Sequence, residues 1–335
     1  MGNIDIDAKI YVDPSCDILY SSFYIYGLQQ VYGKKQIKFI SKYFKDFKHD
    51  NHFFAFVVVN NKSIKKIIID FTDSSNIDEK VLNWCDVYGK INLEENLEYS
   101  EKIVAIGPSF GIQIYNPIET VFIAIKNFIK SSSRIPNKRR FFSDYRSQLK
   151  RPSYSDYLPE RTKPNFIFFL SSLWKREIST NSYRSNFIKA CKENQNIEFK
   201  GGFAPRSKND IQGFEENTLG DRMSIDEYLH NTKLSILVFN TPAVKSCHGW
   251  KLAEFLCLGK AIITTPLSRV MPGSIIAGVH YLQSDGSKSD ISLKIESLVN
   301  DSAKRLALET NARKYFMENL EPKIVIQKLL SMCSE

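Results

Sequence analysis

The residues that could do chemistry most directly are a lysine and a glutamate three positions apart, Lys251 and Glu254, in the run WKLAEFLCLGKAIITTP. Apolar residues recur around them at helical spacing, which predicts a helix over 249–258 and puts both charges on one helix face. A carboxylate near a helix start can accept hydrogen bonds from the hydroxyls of a ribose, and a neighbouring ammonium can pair with a phosphate. The same spacing also suits an exposed ion pair on an amphipathic helix, so spacing alone leaves both interpretations open.

Short apolar runs flank this helix, at 234–239 and 261–264, and both are predicted to be buried strands of a parallel sheet. In open α/β sheets, ligands bind beyond the carboxyl ends of the strands, where loops lead into helix N-termini that attract anions. A ligand site is therefore expected at the loop before the helix predicted over 249–258 and at the residues after the strand predicted at 261–264.

The segment KLAEFLCLGKAIITTP resembles the donor-site stretch of GT-B glycosyltransferases, in which a helix with a ribose-binding glutamate precedes a Gly-Lys turn and a strand. The resemblance rests on specific residues over 234–273. In the rest of the chain it concerns only the alternation of strands and helices. It implies that Glu254 holds the ribose of a nucleotide-sugar donor. It also implies that further residues lie close to the donor or line its cleft: Gly249, Trp250, Lys251, Thr264 and Thr265. His248, in the same loop, suits either a contact with phosphate or sugar or a structural role.

Other donor contacts are expected from the loops after the first two strands of the second half. The first loop offers Ser171, Lys175 and Arg176 to a diphosphate, and the second offers Arg206 and Lys208. Basic residues in loops are more often simply solvated, so each of these side chains also suits an exposed position without a ligand.

The sequence departs from one pattern of the family. Retaining enzymes of this fold often carry a second glutamate eight positions before the ribose-binding one, and this chain has Ser246 there, which favours inversion. The resemblance also implies that transfer needs no metal or other cofactor. His49 and His52 are spaced like metal ligands, but no third ligand lies at a suggestive spacing, so we interpret them as part of a polar turn.

Inversion requires a general base near the acceptor, and the resemblance implies that it lies in the N-terminal half. Asp70 and Asp73, in the run IIIDFTDSS at the end of a predicted buried strand, are the first candidates, and Asp13 and Asp17 are the second. Asp73 also suits an N-cap or an Asx turn before the helix that is predicted from Ile77.

Short β-branched runs alternate with helical patterns in both halves, which predicts an α/β protein of two domains with parallel sheets. The resemblance implies the GT-B arrangement, with two Rossmann-like domains facing each other across a cleft. The predicted boundaries are 1–131 for an acceptor-side domain, 132–164 for a basic connector, 165–320 for a nucleotide-sugar-binding domain and 321–335 for a helix that packs back on the first domain.

Two segments combine apolar or aromatic residues with charge. Residues 134–151 contain seven Lys or Arg and the run KRRFF, which suits either a membrane surface with anionic lipids or a solvated linker. The helix predicted over 118–129 carries an apolar series on one face: Ile118, Val121, Phe122, Ile125 and Ile129.

The 335-residue chain has 46 Lys and Arg against 37 Asp and Glu, a formal charge of +9 that favours anionic partners. No run approaches the ~20 apolar residues that cross a bilayer, no leader pattern opens the sequence, and the six cysteines lack metal-site spacing. These features predict a cytoplasmic protein, and the basic run leaves open a peripheral contact with the inner face of the membrane.

The resemblance therefore implies transfer of a sugar from a nucleotide-sugar donor to a glycan or lipid-linked acceptor, in surface polysaccharide synthesis. Two alternatives stay open. A nucleotide-sugar epimerase would share the fold and the donor site but need no acceptor, and a basic nucleic-acid-binding protein would account for the charge. The sequence contains no recognisable nucleic-acid-binding motif, so nucleic acid is not the expected partner.

Overall fold

The computed structural model describes residues 8–47, 52–60, 63–206 and 211–333. Within these residues the chain forms two compact units. The first runs to Tyr154 and adds Val270–Pro272 and the segment from Glu318, and the second contains Ser155–Arg269 and Gly273–Met317.

Eleven strands and ten α-helices lie in the described residues. The strands are β1 (Lys9–Val12), β2 (Ile37–Phe39), β3 (Phe53–Val59), β4 (Ile64–Asp70), β5 (Val87–Lys90), β6 (Ile103–Ala105), β7 (Phe166–Ser171), β8 (Glu198–Phe203), β9 (Leu237–Asn240), β10 (Ala261–Thr264) and β11 (Leu282–Gln283). The helices are α1 (Ile18–Tyr32), α2 (Glu79–Trp84), α3 (Pro117–Ser131), α4 (Lys138–Leu149), α5 (Ile178–Glu193), α6 (Ile225–Leu234), α7 (Trp250–Cys257), α8 (Lys288–Asn300), α9 (Ser302–Asn319) and α10 (Pro322–Ser331). None of the helices in the described part of the chain is both long and apolar enough to cross a membrane.

The first unit is built on a six-stranded sheet in the order β2-β1-β3-β4-β5-β6. Its neighbouring strands are parallel, as predicted, except that β3 is antiparallel to both β1 and β4. Only four residues, 60–63, separate β3 from β4, and the Asn60 N–H donates to the Ser63 carbonyl at 3.1 Å. So short a connection cannot contain a crossover. Because β1 and β4 both run opposite to β3, they end at the same edge of the sheet. That edge carries the four aspartates predicted as base candidates.

The C-terminal helix α10 packs against α1 in the first unit. A Cβ atom on Gly27 of α1 would lie 2.3 Å from the carbonyl oxygen of Pro322, so only glycine allows the helices to approach this closely. Lys328 of α10 donates to the carbonyl of Ala105 at 3.1 Å.

Helix α4 occupies much of the stretch 132–164 that was predicted as an exposed connector, and it belongs to the first unit. Phe141, Tyr145 and Gln148 are buried at spacings of 4 and 3, so the helix packs by one face. Asn137 caps its start by accepting from the Arg140 N–H at 2.9 Å. The composition of the stretch concealed this helix, because charged residues outnumber the three buried positions.

In the second unit, β8 pairs with β7, and β10 pairs with β9 and β11, each time in parallel as predicted. β7 and β9 lie side by side, because the Ile236 N–H donates to the Phe166 carbonyl and the Phe168 N–H donates to Ser235 Oγ, both at 2.9 Å. β8 and β7 form a two-stranded sheet, and β9, β10 and β11 form a three-stranded one. The two sheets adjoin at β7 and β9, so the strands lie in the spatial order β8-β7-β9-β10-β11. Apolar side chains of these strands, of α5 and of α8 form the core of the unit.

Candidate functional site

The strand order of the second unit reverses between β7 and β9. The chain passes from β7 outward to β8 and then returns to the other side of β7 as β9. The crevice beyond the carboxyl ends of the strands at such a reversal is the usual ligand site of an open α/β sheet. Here α5 begins after β7 and α7 begins after β9, so both helix starts lie at this edge.

Three cationic side chains from separate parts of the second unit donate to the backbone at the end of β7. The donor and acceptor pairs are Lys251 with the carbonyl of Leu170, Arg184 with the carbonyl of Ser172 at 2.9 Å, and Arg206 with the carbonyl of Leu173 at 2.8 Å. Positive charge is thus concentrated where α5 and α7 begin. Such an arrangement can bind an anion with several oxygen atoms, such as a diphosphate.

Lys251, on the first turn of α7, lies over two aromatic rings. Its Nζ is 5.4 Å from the centroid of Phe169 and 5.7 Å from that of Tyr228. Burial, with a smaller effect of the Arg184 charge, lowers the pKa of Lys251 to about 7, and Glu254 opposes the shift. Lys251 therefore titrates around neutral pH, and a bound anion would favour its charged form.

Arg184, on α5, was not predicted as a site residue. It is buried, and its Nε donates to Thr241 Oγ1 at 3.0 Å, so that one side chain holds the loops after β7 and β9 together. Burial lowers its pKa only to about 10, so it stays charged at neutral pH. The sequence does contain one indication that Arg184 is buried. It precedes the apolar residues Phe187 and Ile188 by three and four positions, which puts it on the apolar face of a helix.

Glu254 is buried on α7, and its Oε2 accepts a hydrogen bond of 2.8 Å from the hydroxyl of Tyr228 on α6. A buried carboxylate is costly unless hydrogen bonds satisfy it. Tyr228 supplies one such bond and fixes the orientation of the carboxylate. Tyr228 was not predicted as a site residue because it lies 26 residues away from Glu254 along the chain.

Within the described residues, no side-chain hydrogen bond caps the start of α5, of α7 or of α10. Neither Glu177 before α5 nor Gly249 before α7 bonds a helical N–H through its side chain. By contrast, side-chain oxygens cap the starts of α1, α2, α3, α4, α6 and α8. Uncapped first-turn N–H groups at a ligand edge are well suited to bind phosphate oxygens.

The loop between β9 and α7 holds His248 in a buried position, where its Nε2 accepts from the Ser268 N–H at 3.2 Å. Burial, helped by the charge of Arg269, lowers the pKa of His248 to about 4, so the ring is neutral at pH 7. It brings no positive charge to a phosphate, which favours the structural role. Lys245 and Ser246 in this loop have φ of 54° and 58°, the left-handed region that costs energy for residues other than glycine.

The remaining predicted donor residues lie along the same edge of the sheet. Ser171 ends β7 and is buried, Lys175 is exposed in the loop that follows, and Trp250 begins α7. Thr265, directly after β10, is buried, and its Oγ1 has no hydrogen-bond partner among the described residues. A buried hydroxyl in this state is a natural contact for a ligand.

Arg206 also lines a cavity of about 210 Å³ together with four other residues: Leu173, Ile211, Glu215 and Thr218. Lys208, the other cation predicted for this loop, lies outside the described residues. No group of three or more His, Cys, Asp and Glu side chains in the described ranges is arranged to hold a metal ion, and His49 lies outside those ranges.

In the first unit, Asp70 at the end of β4 is fully enclosed by partners. Its carboxylate accepts from Lys90 Nζ at 2.7 Å, from the Tyr88 hydroxyl at 2.6 Å and from the Thr72 N–H at 2.8 Å. A base that takes a proton from a substrate must be reachable, so this arrangement suits a structural role for Asp70. Asp73, three residues further on, is exposed.

Asp13 and Asp17, the second candidates for the base, each bind an arginine, and neither pairing was predicted from the sequence. Arg134 grips Asp13 with two hydrogen bonds, Nη1 to Oδ1 at 3.0 Å and Nη2 to Oδ2 at 2.7 Å. Asp17 caps α1 and accepts from Arg140 Nη2 at 3.2 Å. Asp144 of α4 was not predicted: burial, reinforced by the charge of Asp17, raises its pKa to about 7.

Neither a family model nor a curated protein matches the sequence. One similar solved structure is the C-terminal domain of LpcC, a glycosyl transferase group 1 family protein of Francisella tularensis. It is 14% identical, with a TM-score of 0.36, and the alignment covers 50% of this chain and 97% of that one. A glycosyltransferase of Rickettsia africae is 11% identical over 77% of this chain and 67% of its own, with a TM-score of 0.42. HepE of Anabaena, solved in complex with UDP, is 13% identical over 74% of this chain and 71% of its own, also with a TM-score of 0.42. At these identities and TM-scores, function has to be inferred from the side chains of the site itself.

Proposed function

We propose that this chain is a metal-independent glycosyltransferase of the GT-B type, which takes a sugar from a nucleotide-sugar donor held by the second unit. The observation that carries the proposal is the convergence of Lys251, Arg184 and Arg206 on the end of β7, next to the helix that bears the buried Glu254. The proposed acceptor is a glycan or a lipid-linked saccharide of surface polysaccharide synthesis, and the proposed stereochemical course is inversion.

The diphosphate of the donor is assigned to the cations at the end of β7 and to the uncapped starts of α5 and α7. As the bond from the sugar to the diphosphate breaks, negative charge develops on the leaving oxygen. Donors that are already in position stabilise that charge without reorganisation during the reaction. Lys251 and Arg184 supply the charge, since Arg184 is protonated at neutral pH and Lys251 gains its proton with the ligand.

The ribose is assigned to Glu254. Its carboxylate is oriented by Tyr228 at 2.8 Å and lies one helical turn after Lys251, so a nucleotide with its phosphates at Lys251 can present its ribose hydroxyls to Glu254. Hydrogen bonds from hydroxyls to a carboxylate are stronger than neutral ones, which makes Glu254 the main polar anchor for the nucleoside.

The acceptor oxygen forms a bond to the anomeric carbon while the bond from that carbon to the diphosphate oxygen breaks. The proton of the acceptor hydroxyl passes to a carboxylate, which we assign to Asp73 because it is exposed in the loop after β4. Asp70 then serves as a positioning residue, because its bonds to Lys90 and to the Thr72 N–H hold the start of that loop.

Nucleoside diphosphate affinity should weaken as the pH rises above 7. The pKa of Lys251 is about 7 in the free protein, and a bound diphosphate raises it because the opposite charge favours the ammonium. Below pH 7 the lysine is already protonated and affinity is highest; above pH 7 binding must take up a proton, and affinity falls by up to about tenfold per pH unit until the pKa of the complex is passed. Calorimetry in buffers of different ionisation enthalpy measures both the affinity and the proton uptake.

The matched variant for this experiment is Lys251→Met, which cannot take up the proton. Its affinity should be lower at pH 6 and change little between pH 7 and 9. Persistence of proton uptake above pH 7 in Lys251→Met would show that another group is responsible.

Asp73→Asn should slow the release of nucleoside diphosphate from the donor by about 10²- to 10⁴-fold, because the general base is removed. The dissociation constant for the nucleotide should stay unchanged, since Asp73 is assigned to the acceptor and not to the nucleotide. Asp46→Asn, at another exposed aspartate of the first unit, is the control and should keep the full rate. If Asp144→Asn slows the release of nucleoside diphosphate and Asp73→Asn does not, the general base is in the pair of Asp144 and Asp17 and not Asp73.

The proposal as a whole is tested by thermal-shift and calorimetric screening of the protein with nucleoside diphosphates, including UDP, with nucleotide sugars and with short oligonucleotides. Stabilisation by one nucleoside diphosphate is the expected result. Stabilisation by oligonucleotides alone, with a steep dependence on salt, would overturn it in favour of nucleic-acid binding. Conversion of a nucleotide sugar to its epimer without any acceptor would identify an epimerase instead.

A further inference from the structure

Helix α3 of the first unit presents a continuous apolar face to solvent. Ile118 is 84% exposed, Phe122 65% and Ile129 72%, and Val121 and Ile125 lie between them and are also exposed. Their spacings of three and four residues put all five on one side of the helix. Scattered exposed apolar residues are ordinary, but a contiguous patch of this kind marks an interaction surface.

The opposite face of α3 is small or polar, and it is the face that packs. The buried residues of the helix are Thr120, Ala124, Asn127 and Ser131. Asn127 Nδ2 donates to the hydroxyl of Tyr145 at 2.9 Å, and Ser131 Oγ donates to the Asn127 carbonyl at 2.6 Å. The bond to Tyr145 of α4 joins this face of α3 to the rest of the unit, whereas the bond from Ser131 lies within α3. The apolar face is therefore the one left outward.

Basic and aromatic side chains border the apolar face. Lys126 Nζ lies 5.7 Å from the ring centroid of Phe122, and Lys138 Nζ lies 5.9 Å from that of Phe128. Phe142 of α4 is exposed and packs against Phe128 at 5.1 Å between centroids. Arg139, at the start of α4, is exposed as well. The surface is therefore apolar in the middle and cationic along its border.

We propose that α3 and the start of α4 form a membrane-surface contact that lies on lipids with anionic headgroups. Apolar side chains facing outward from a helix with lysines at their border are the features of helices that lie in the plane of a bilayer surface. The lysines and arginine are complementary to the negative charge of anionic lipids. A second copy of the chain fits less well, because a two-fold contact would bring the same cationic borders together. The contact rests on these residues of the first unit and does not depend on the proposed transferase activity.

The test is sedimentation of the full chain with phosphatidylcholine vesicles that either contain or lack phosphatidylglycerol, at low and at high salt. Binding is expected with the anionic vesicles and should decrease at high salt, because surface charge is screened. In the variant Ile118→Ser/Phe122→Ser/Ile129→Ser, binding to the anionic vesicles should fall by about tenfold or more, since three apolar side chains no longer leave water. In Lys126→Gln/Lys138→Gln, the difference between the two vesicle types should shrink.

A matched control is Leu293→Ser/Leu306→Ser, which removes two apolar side chains that are 65% and 62% exposed on α8 and α9 of the second unit. It should bind vesicles as the wild type does. All variants change exposed side chains, and unaltered urea denaturation checks that they fold. The proposal is overturned if the wild type stays in the supernatant with both vesicle types, or if the control loses as much binding as the α3 variant. It is also overturned if sedimentation velocity without lipid shows a dimer that the α3 variant abolishes, since a second copy would then cover the face.

Discussion

Glu254→Gln is expected to bind nucleoside diphosphates about 10- to 100-fold more weakly than the wild type. Hydrogen bonds to a charged group contribute about 1.5–3 kcal/mol, and the substitution removes the charge while it keeps the shape of the side chain. The bond from Tyr228 to Glu254 Oε2 becomes a neutral one, so the orientation of the group is also held less firmly. Titration calorimetry with the nucleotide that binds best in the screen measures the loss.

If Glu254 binds the ribose, the variant should also differ from the wild type in its preference for ribonucleotides over 2′-deoxyribonucleotides. This comparison distinguishes a direct contact from a general disruption of the site. The wild type should bind the ribonucleotide more tightly than its 2′-deoxy counterpart, and Glu254→Gln should discriminate less, because the two changes remove the same interaction. Tyr228→Phe should show an intermediate loss. Glu296→Gln, at an exposed glutamate of α8, should behave as the wild type does. Equal discrimination between the two nucleotides in wild type and Glu254→Gln would show that the ribose does not contact Glu254.

Lys90→Met is expected to lower the free energy of unfolding by about 3–5 kcal/mol, because it removes one partner of a buried ion pair. Lys90 and Asp70 are both fully buried, with 2.7 Å between Nζ and Oδ2. Without Lys90, the Asp70 carboxylate stays in the core with its bonds to the Tyr88 hydroxyl and the Thr72 N–H but without an opposite charge from Lys90. Urea denaturation followed by circular dichroism measures the change.

Two comparisons separate the ion pair from a general effect of losing a lysine. Lys34→Met breaks the exposed pair with Glu119 in the same unit and should cost at most about 1 kcal/mol. Asp70→Asn/Lys90→Met should recover part of the loss of the single variant, since it leaves no unpaired charge in the core. A single Lys90→Met variant that is no less stable than Lys34→Met would contradict the role given to the pair.

The same residues connect stability with the proposed chemistry. Lys90 Nζ also donates to Thr72 Oγ1 at 2.6 Å, and Asn92 Nδ2 donates to the Thr72 carbonyl at 2.9 Å. These bonds hold the loop that leads to Asp73. A variant at Lys90 is therefore expected to lose activity as well as stability.

Much of the second unit could be predicted from local sequence. β10 occupies 261–264 as predicted, and α7 lies within the predicted 249–258, because β-branched runs and helical spacing act over a few residues. Lys251 and Glu254 could be named as candidates because their spacing and setting are local too. Arg184 and Tyr228 were missed because their partners, the Ser172 carbonyl and Glu254, lie 12 and 26 residues away along the chain.

Helix α3 shows most directly what sequence determines and what tertiary structure decides. Asn116 caps its start and Pro117 occupies its first position, and the chemistry that both supply is local. The apolar spacing established that the helix is amphipathic, and such a stripe normally faces the core. Only the fold decided that Asn127, on the polar face, meets the Tyr145 hydroxyl 18 positions away, so that the polar face is buried and the apolar stripe is left towards solvent. Periodicity specifies which residues share a face, whereas the partner of that face depends on the surfaces that distant segments bring to it.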